Sequence, residues 1–329
     1  MRSDQFSQVC IYGAGAIGCW IGARLAATGC QVSVLARGAT LDALRRHGLR
    51  LRENGVESAW PVQSSADPAD LGVQDLVVVA VKAPGLLDVA RRIGPLIGPD
   101  TVVLSAMNGV PWWFFQGFGG RFEGTVLRAV DATAQIGQAI PAASVIGCVV
   151  HASGAAEPGY AQHHFGNKLI IGEPSGQQTE RVMQLAALLQ AAGFEASVSE
   201  QIQKDVWYKL WGNMTLNPIS ALTGATTDRI LDDELVRGFV SSVMLEAKEI
   251  GARIGIPIEQ QPEDRHAVTR KIGAFKTSML QDFEAGKPLE LDALVTVVKE
   301  LGALTRVATP FTDALLGLSR LQARVRGLY

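Results

Sequence analysis

The sequence predicts an α/β fold in two parts: an N-terminal parallel-sheet domain over residues 1–200 and an all-α C-terminal domain over residues 201–329. Three observations carry this expectation. Short apolar, β-branched runs alternate with helical stretches through the first half, the pattern of a sheet whose strands are joined by crossover helices. A glycine-rich turn joins the first strand to the first helix. Beyond residue 200 the strand-like runs nearly vanish and helical periodicity takes over.

Residues 9–12 form the first short apolar run, and 16–27 the first helix, which Gly29 ends. Residues 31–35 are the next strand, completing a β-α-β unit with a right-handed crossover. A helix is expected over 39–47. A hairpin over 49–52 and 56–62 turns at Asn54-Gly55. The unbroken run 76–81 reads as a central strand buried on both faces. A helix over 86–97 and a strand over 101–104 follow. Several short strands are expected between 124 and 172, with turns at Ser153-Gly154 and Pro158-Gly159. A helix over 177–192 and a strand over 195–198 close the first domain. In the second, helices are expected over 204–214, 231–254, 263–284, 291–304 and 311–324.

The composition sets limits on function. Hydrophobic residues are 47% and charged residues 19% of the 329, so a large core is available. The formal net charge is -2 and the basic residues are dispersed, which gives no footprint for nucleic acid or an anionic membrane. The polar start, Met1 to Gln8, lacks the blocks of a signal peptide. No apolar run reaches the ~20 residues of a membrane helix. Cys10, Cys19, Cys30 and Cys148 have neither CxxC nor zinc spacing and read as reduced thiols of a cytoplasmic protein. His151, His163 and His164 could suggest a metal, but adjacent strand residues face opposite ways, so none is expected.

Gly13-Ala14-Gly15-Ala16-Ile17-Gly18 is a GxGxxG that follows a strand and opens a helix, the context that identifies a Rossmann-type dinucleotide-binding turn. Gly13 permits the turn, Gly15 the approach of a pyrophosphate, and Gly18 close packing of helix on strand. The helix N-terminus presents free N–H groups to the phosphates. At the end of the second strand, where NAD sites carry an acid, stands Val34-Leu35-Ala36-Arg37-Gly38. The guanidinium of Arg37 suits a 2′-phosphate, so NADP(H) is the expected cofactor.

In the second half, Lys209, Asn213 and Asn217 recur every four residues and form one polar stripe among Leu210, Trp211, Met214 and Leu216. Lys209…Asn213…Asn217-Pro218 resembles the signature helix of the ketopantoate reductase (2-dehydropantoate 2-reductase) family. The GxGxxG, Val81-Lys82-Ala83, Asn108-Gly109, and Ser278-Met279-Leu280-Gln281-Asp282 followed by Glu290-Leu291-Asp292 agree with that family in order. The resemblance spans residues 9 to about 310.

The resemblance implies NADPH-dependent reduction of 2-dehydropantoate to pantoate, a step of pantothenate biosynthesis. It implies an active site in the cleft between the domains. Lys209 would be the general acid, and Glu290 would bond the substrate hydroxyl and orient Lys209. Ser278 would bond the carboxylate, Asn213 and Asn217 would hold the substrate, and Lys82 and Asn108 would lie near the nicotinamide and the reacting carbon. The partners implied are a small 2-oxo acid and, left open, a second copy in a homodimer.

Two departures bear on the substrate. Ala293-Leu294-Val295-Thr296 stands where the family often has Asn-Gly, and Phe275 stands where an amide-bearing residue is usual. Trp112-Trp113-Phe114-Phe115 could wall or cover the site. A reductase of a bulkier or more apolar 2-oxo acid is therefore the alternative. A non-catalytic NADP(H)-sensing protein is the rival of another class, and Lys209, Ser278 and Glu290 together argue against it.

Overall fold

The structure is a computed structural model and describes residues 6–329. The expectation about a leader segment therefore falls largely outside the described residues. The chain divides into two compact units. The first comprises residues 1–107, 112–125 and 133–202, and the second 108–111, 126–132 and 203–329.

The first unit is a ten-stranded mixed sheet. Its strands are β1 (Gln8–Tyr12), β2 (Gln31–Leu35), β3 (Leu49–Glu53), β4 (Val56–Trp60), β5 (Gln63–Ser65), β6 (Leu76–Val79), β7 (Val102–Ser105), β8 (Val145–Glu157), β9 (Tyr160–Gly172) and β10 (Glu195–Val198). They lie in the order β4-β3-β9-β8-β7-β6-β1-β2-β5, with β10 on β9. From β5 to β8 every pairing is parallel. β6 and β7 are buried at every residue, as their unbroken apolar runs require. The helix Ala16–Ala27 packs on this sheet through Trp20, Ile21 and Leu25.

The Asn54-Gly55 hairpin forms as expected, with both turn residues at positive φ (52° and 79°). Two expectations change. The region 124–172 holds not several short strands but the long antiparallel pair β8 and β9, thirteen residues each. Pro158-Gly159 is its turn. Ser153-Gly154 is instead a bulge, where the register shifts twice and a Cβ on Gly154 would lie 2.6 Å from the Gln162 carbonyl oxygen. Trp112, Trp113, Phe114 and Phe115 are all nearly inaccessible. The Phe114 and Phe115 rings pack on each other and on Phe118, and the Trp112 indole N–H donates to the Ile140 carbonyl. The cluster is core, not a cover over a site.

The second unit is helical. Pro218 neither ends nor interrupts the helix Ile202–Thr223, which runs on for a further turn and closes before Gly224 at φ +72°. The stretch 263–284 is two helices, Pro262–Arg270 and Ser278–Glu284, with Gly273 at φ +77° between them. Asp233 caps Glu234–Ile254 through its side chain and separates it from Thr227–Asp232. The helix after Leu291 begins with a π turn, Asp292–Thr296, before Val297–Thr305. The last helix is Pro310–Val325.

Candidate active site

In the first unit the turn after β1 is shaped for a dinucleotide. Gly13 sits at φ +117°, and a Cβ there would lie 2.8 Å from the backbone of Ala80, just past β6. A Cβ on Gly18 would strike the Gly13 carbonyl oxygen and press on Ile11 of β1, so the helix can lie this close only without a side chain. Gly15 faces open space. It is the N-cap of the helix Ala16–Ala27, which has no side-chain cap and no acid in its first turn. Ala14, Ala16 and Ile17 complete the turn. The first N–H groups of that helix are thus left to an external acceptor, and an anion is the natural one. The hydroxyl of Tyr12, at the end of β1, is buried without a hydrogen-bond partner. Burial raises the pKa of this phenol.

Arg37 stands where the sequence put it, at the end of β2 and at the N-cap of the helix Gly38–His47. Its side chain is largely exposed and pairs with Asp88 at 3.2 Å. A helix N-terminus and a guanidinium converge there, both favouring an anion. Lys82 is exposed just beyond the end of β6, as N-cap of a short turn. These residues fit a bound phosphorylated dinucleotide.

In the second unit, Lys209, Asn213 and Asn217 lie on consecutive turns of the helix Ile202–Thr223. Lys209 and Asn213 are half-buried and Asn217 is buried. The Lys209 ammonium donates to the Asn108 side-chain carbonyl at 2.7 Å. Asn108 belongs to a segment, 108–111, that follows β7 in sequence but groups with the helical unit. Two features hold it there. The Val110 N–H donates to the Ala293 carbonyl at 2.9 Å, inside the π turn. Gly109, at φ +84°, lies so close to Ala293 that a Cβ would stand 2.4 Å from its carbonyl oxygen.

Glu290 is buried immediately before that helix. Asp292, in its first turn, accepts from Thr296 and from the Tyr329 phenol at 2.6 Å. Ser278 is exposed in the first turn of Ser278–Glu284, whose cap is the neighbouring Thr277. Phe275 is half-buried, and its carbonyl accepts from the Thr227 N–H. Val295 is buried in packing. The residues sequence reasoning missed are Tyr12, Asp88 and the π turn. Tyr12 and Asp88 carry no local motif, and a π turn has the same apolar spacing as an α turn over so short a span.

The histidines do not converge on a metal. His163 stacks on Trp20 with centroids 5.0 Å apart, and its Nδ1 lies 3.1 Å from Glu53, which Arg24 also binds. Among the described residues no group of three or more His, Cys, Asp or Glu is arranged around one point. No helix described is long and apolar enough to cross a membrane.

A Rossmann-type sheet with a bare phosphate turn, joined to a helical unit that presents a hydrogen-bonded lysine on an apolar helix, defines a nucleotide-dependent oxidoreductase. The chain belongs to the ketopantoate reductase family: residues 9–176 match Ketopantoate reductase PanE/ApbA, and 201–323 match its C-terminal part. It is 46% identical over 324 residues to a 2-dehydropantoate 2-reductase of Mesorhizobium japonicum, covering 98% of this chain and 99% of that one. A crystal structure assigned as a ketopantoate reductase of Ralstonia solanacearum superposes with a TM-score of 0.95 at 57% identity, covering 98% and 100% of the two chains. That of the 2-dehydropantoate 2-reductase of Geobacter metallireducens gives 0.83 at 27%, covering 95% and 99%. The family makes this chain an oxidoreductase acting on a CH–OH group, and NADPH is the coenzyme used in that family.

Proposed function

We propose that the chain reduces 2-dehydropantoate to pantoate at the expense of NADPH, with Lys209 as the general acid. The observation that carries this reading is the Lys209–Asn108 hydrogen bond at 2.7 Å, which aims an ammonium along a mostly apolar helix. Bound NADPH supplies the hydride. Lys209 stabilises the developing alkoxide and gives its proton to that oxygen, then recovers a proton from water. Asn108 holds the ammonium in place. Asn213 and Asn217 present amides to the substrate from the same helix face. Glu290 accepts from the substrate hydroxyl, and the exposed Ser278 hydroxyl is available to the carboxylate. The bare helix N-terminus and Gly15 receive the pyrophosphate, Arg37 the 2′-phosphate, and Lys82 and Asn108 the nicotinamide end.

A cytoplasmic location accompanies the reading, supported by four free cysteines, of which three are buried. The test is the consumption of reduced nicotinamide with 2-dehydropantoate, beside a panel of 2-oxo acids and with NADH as control. A kcat/KM for 2-dehydropantoate above about 10⁴ M⁻¹s⁻¹, and well above the panel, is expected. A preference for a bulkier, more apolar acid would transfer the specificity to Phe275, which stands where an amide is usual in the family. NADPH binding with no turnover on any acid would overturn the catalytic reading in favour of a sensor.

A further inference from the structure

The helix Pro262–Arg270 opens on a capping box between Gln261 and Asp264, and the buried ring of His266, bonded to Ser241 at 2.9 Å, fixes its rotation. That rotation lays the preceding residue, Arg265, across the helix Ile202–Thr223. The Arg265 guanidinium lies over the Tyr208 ring, 5.3 Å from its centre. It also rests on Gly212, where a Cβ would stand 2.9 Å from Nε and 3.1 Å from Nη2. A side chain at that position would have to push the guanidinium aside. Gly212 is not at positive φ, so no turn calls for glycine there. What it provides is the close approach of Arg265 to bare helix backbone.

Arg265 is half-buried, and its Nε is buried without a hydrogen-bond partner. Among the described residues of the helical unit, no other arginine has a nitrogen in that condition. No acidic side chain pairs with this guanidinium among the described residues. A cation that has given up water without gaining an anion is unfavourable, and an anion arriving from outside relieves it. The location is specific. Tyr208 precedes Lys209 and Gly212 stands about one turn beyond it, so Arg265 covers the helix surface adjoining the stripe of Lys209 and Asn213. Tyr208, Lys209 and Asn213 are all half-buried, so this surface is not sealed in the core.

We propose that Arg265 is the cation that receives the substrate's carboxylate and so selects acids over uncharged 2-oxo compounds. The assignment rests on the reading of the chain as a 2-oxo acid reductase. Such a substrate brings a negative charge that the groups named above leave without a counter-charge. Lys209 is committed to the carbonyl oxygen. Asn213, Asn217 and Ser278 are neutral, and Glu290 is an acid. The Ser278 hydroxyl offers one donor, whereas a carboxylate accepts about four. The planar fork of a guanidinium adds two parallel donors together with the charge. The carboxylate is present in the ground state and in the transition state alike. Arg265 therefore acts mainly on KM and less on kcat.

The test compares the 2-oxo acid that the full chain turns over fastest with an uncharged form of the same acid: its methyl ester or, for 2-dehydropantoate, its lactone. Arg265→Gln should lower kcat/KM for the acid by about 10–100-fold, chiefly through KM, the range of charge-assisted hydrogen bonds. The uncharged form should change by no more than about twofold. Arg265→Lys, which keeps the charge but loses the fork, should fall between Arg265→Gln and the parent. Gly212→Ala leaves Arg265 in the chain but displaces its head. It should raise KM for the acid by up to about tenfold while the Tm stays level or rises, because the group that must move is the end of a flexible side chain and alanine favours the helix. Equal losses for the acid and its uncharged form in Arg265→Gln would overturn the proposal and leave Arg265 a packing residue. So would an unchanged KM for the acid in an active Arg265→Gln chain. A parent that turns over no 2-oxo acid at all would instead overturn the underlying reading, and the proposal with it.

Discussion

The Lys209 ammonium and the Asn108 amide, 101 residues apart in sequence, are joined by a 2.7 Å hydrogen bond. If this bond positions the acid, the two side chains differ in what their loss does. Lys209→Ala should lower kcat by about 10²–10⁴-fold, the span of general acid catalysis. Asn108→Ala should lower it by roughly tenfold, the loss of one hydrogen bond to a charged group. In the lysine variant NADPH affinity, read by fluorescence titration, should be nearly intact. An unchanged kcat in Lys209→Ala, with chemistry rate-limiting, would remove the lysine from the mechanism.

Gly109→Ala tests the support beneath that bond. The added methyl meets the Ala293 carbonyl, and the positive φ is unfavourable for alanine. A destabilisation of at least about 2 kcal/mol is expected, lowering the Tm by several degrees. The kcat should fall further than stability alone explains, because Asn108 is the adjacent residue. A Tm within a degree of the parent would mean that the loop relaxes freely.

Arg37 is engaged by Asp88 in the present arrangement, so the two residues should act oppositely on cofactor choice. Arg37→Ala should weaken NADPH by about 10–100-fold, the range of charge-assisted bonds to phosphate. NADH should be little affected. Asp88→Asn releases an exposed pair and removes a like charge from the phosphate, so NADPH should tighten by no more than about fivefold. Dissociation constants for both dinucleotides decide this. Equal losses for NADPH and NADH in Arg37→Ala would exclude a 2′-phosphate contact.

His266 gives the helical unit an acid sensitivity. Its ring is buried and bonded to Ser241 at 2.9 Å, and burial holds its pKa below the ordinary 6.5. The neutral ring is the folded form, so the unfolded chain binds the proton more readily. Stability is therefore full above about pH 6.5 and declines as the pH falls from there through the lowered folded value. Thermal melts between pH 8 and pH 5 should show this decline, and His266→Gln should flatten it. A parent Tm that is level over that interval would contradict the buried neutral ring.

Thiol labelling reports the packing of the first unit. Burial pushes the Cys10 and Cys19 thiols up to about 12, and Cys148 is buried as well. Only Cys30 is partly accessible. A thiol reagent at neutral pH should modify Cys30 first and the other three only on unfolding. Prompt reaction of a second thiol in the native protein would contradict the close packing of β1 or of its helix.

How much of this was legible in the sequence follows the range of the interactions involved. The parallel strands were readable because β6 and β7 carry apolar side chains on both faces, and the phosphate turn because Gly13 and Gly18 each answer a local steric demand. The stripe of Lys209, Asn213 and Asn217 was readable from helical period alone. The helix expected over 204–214 continues through Pro218 to Thr223, because the packing that keeps it going is not local and so leaves no mark on the sequence. Ser153-Gly154 gave the signal of a turn because a bulge uses the same residue types. The Trp112–Phe115 cluster showed its apolar content but not its neighbours, and those alone decide between core and cover. The pairing of Arg37 with Asp88, and of Asn108 with Lys209, depends wholly on tertiary geometry.

The π turn at Asp292–Thr296 adds a phase shift to the helix that follows Glu290. A regular helix locks all its residues to one angular register, so the direction of a side chain at its start would dictate which residues face the core at its end. The wider turn breaks that link. The segment beside Glu290 can take its own orientation while Val297, Val298 and Leu301 keep the rotation that buries them. Removing one residue from the turn would force the two requirements back into conflict, by about 100° of helical rotation.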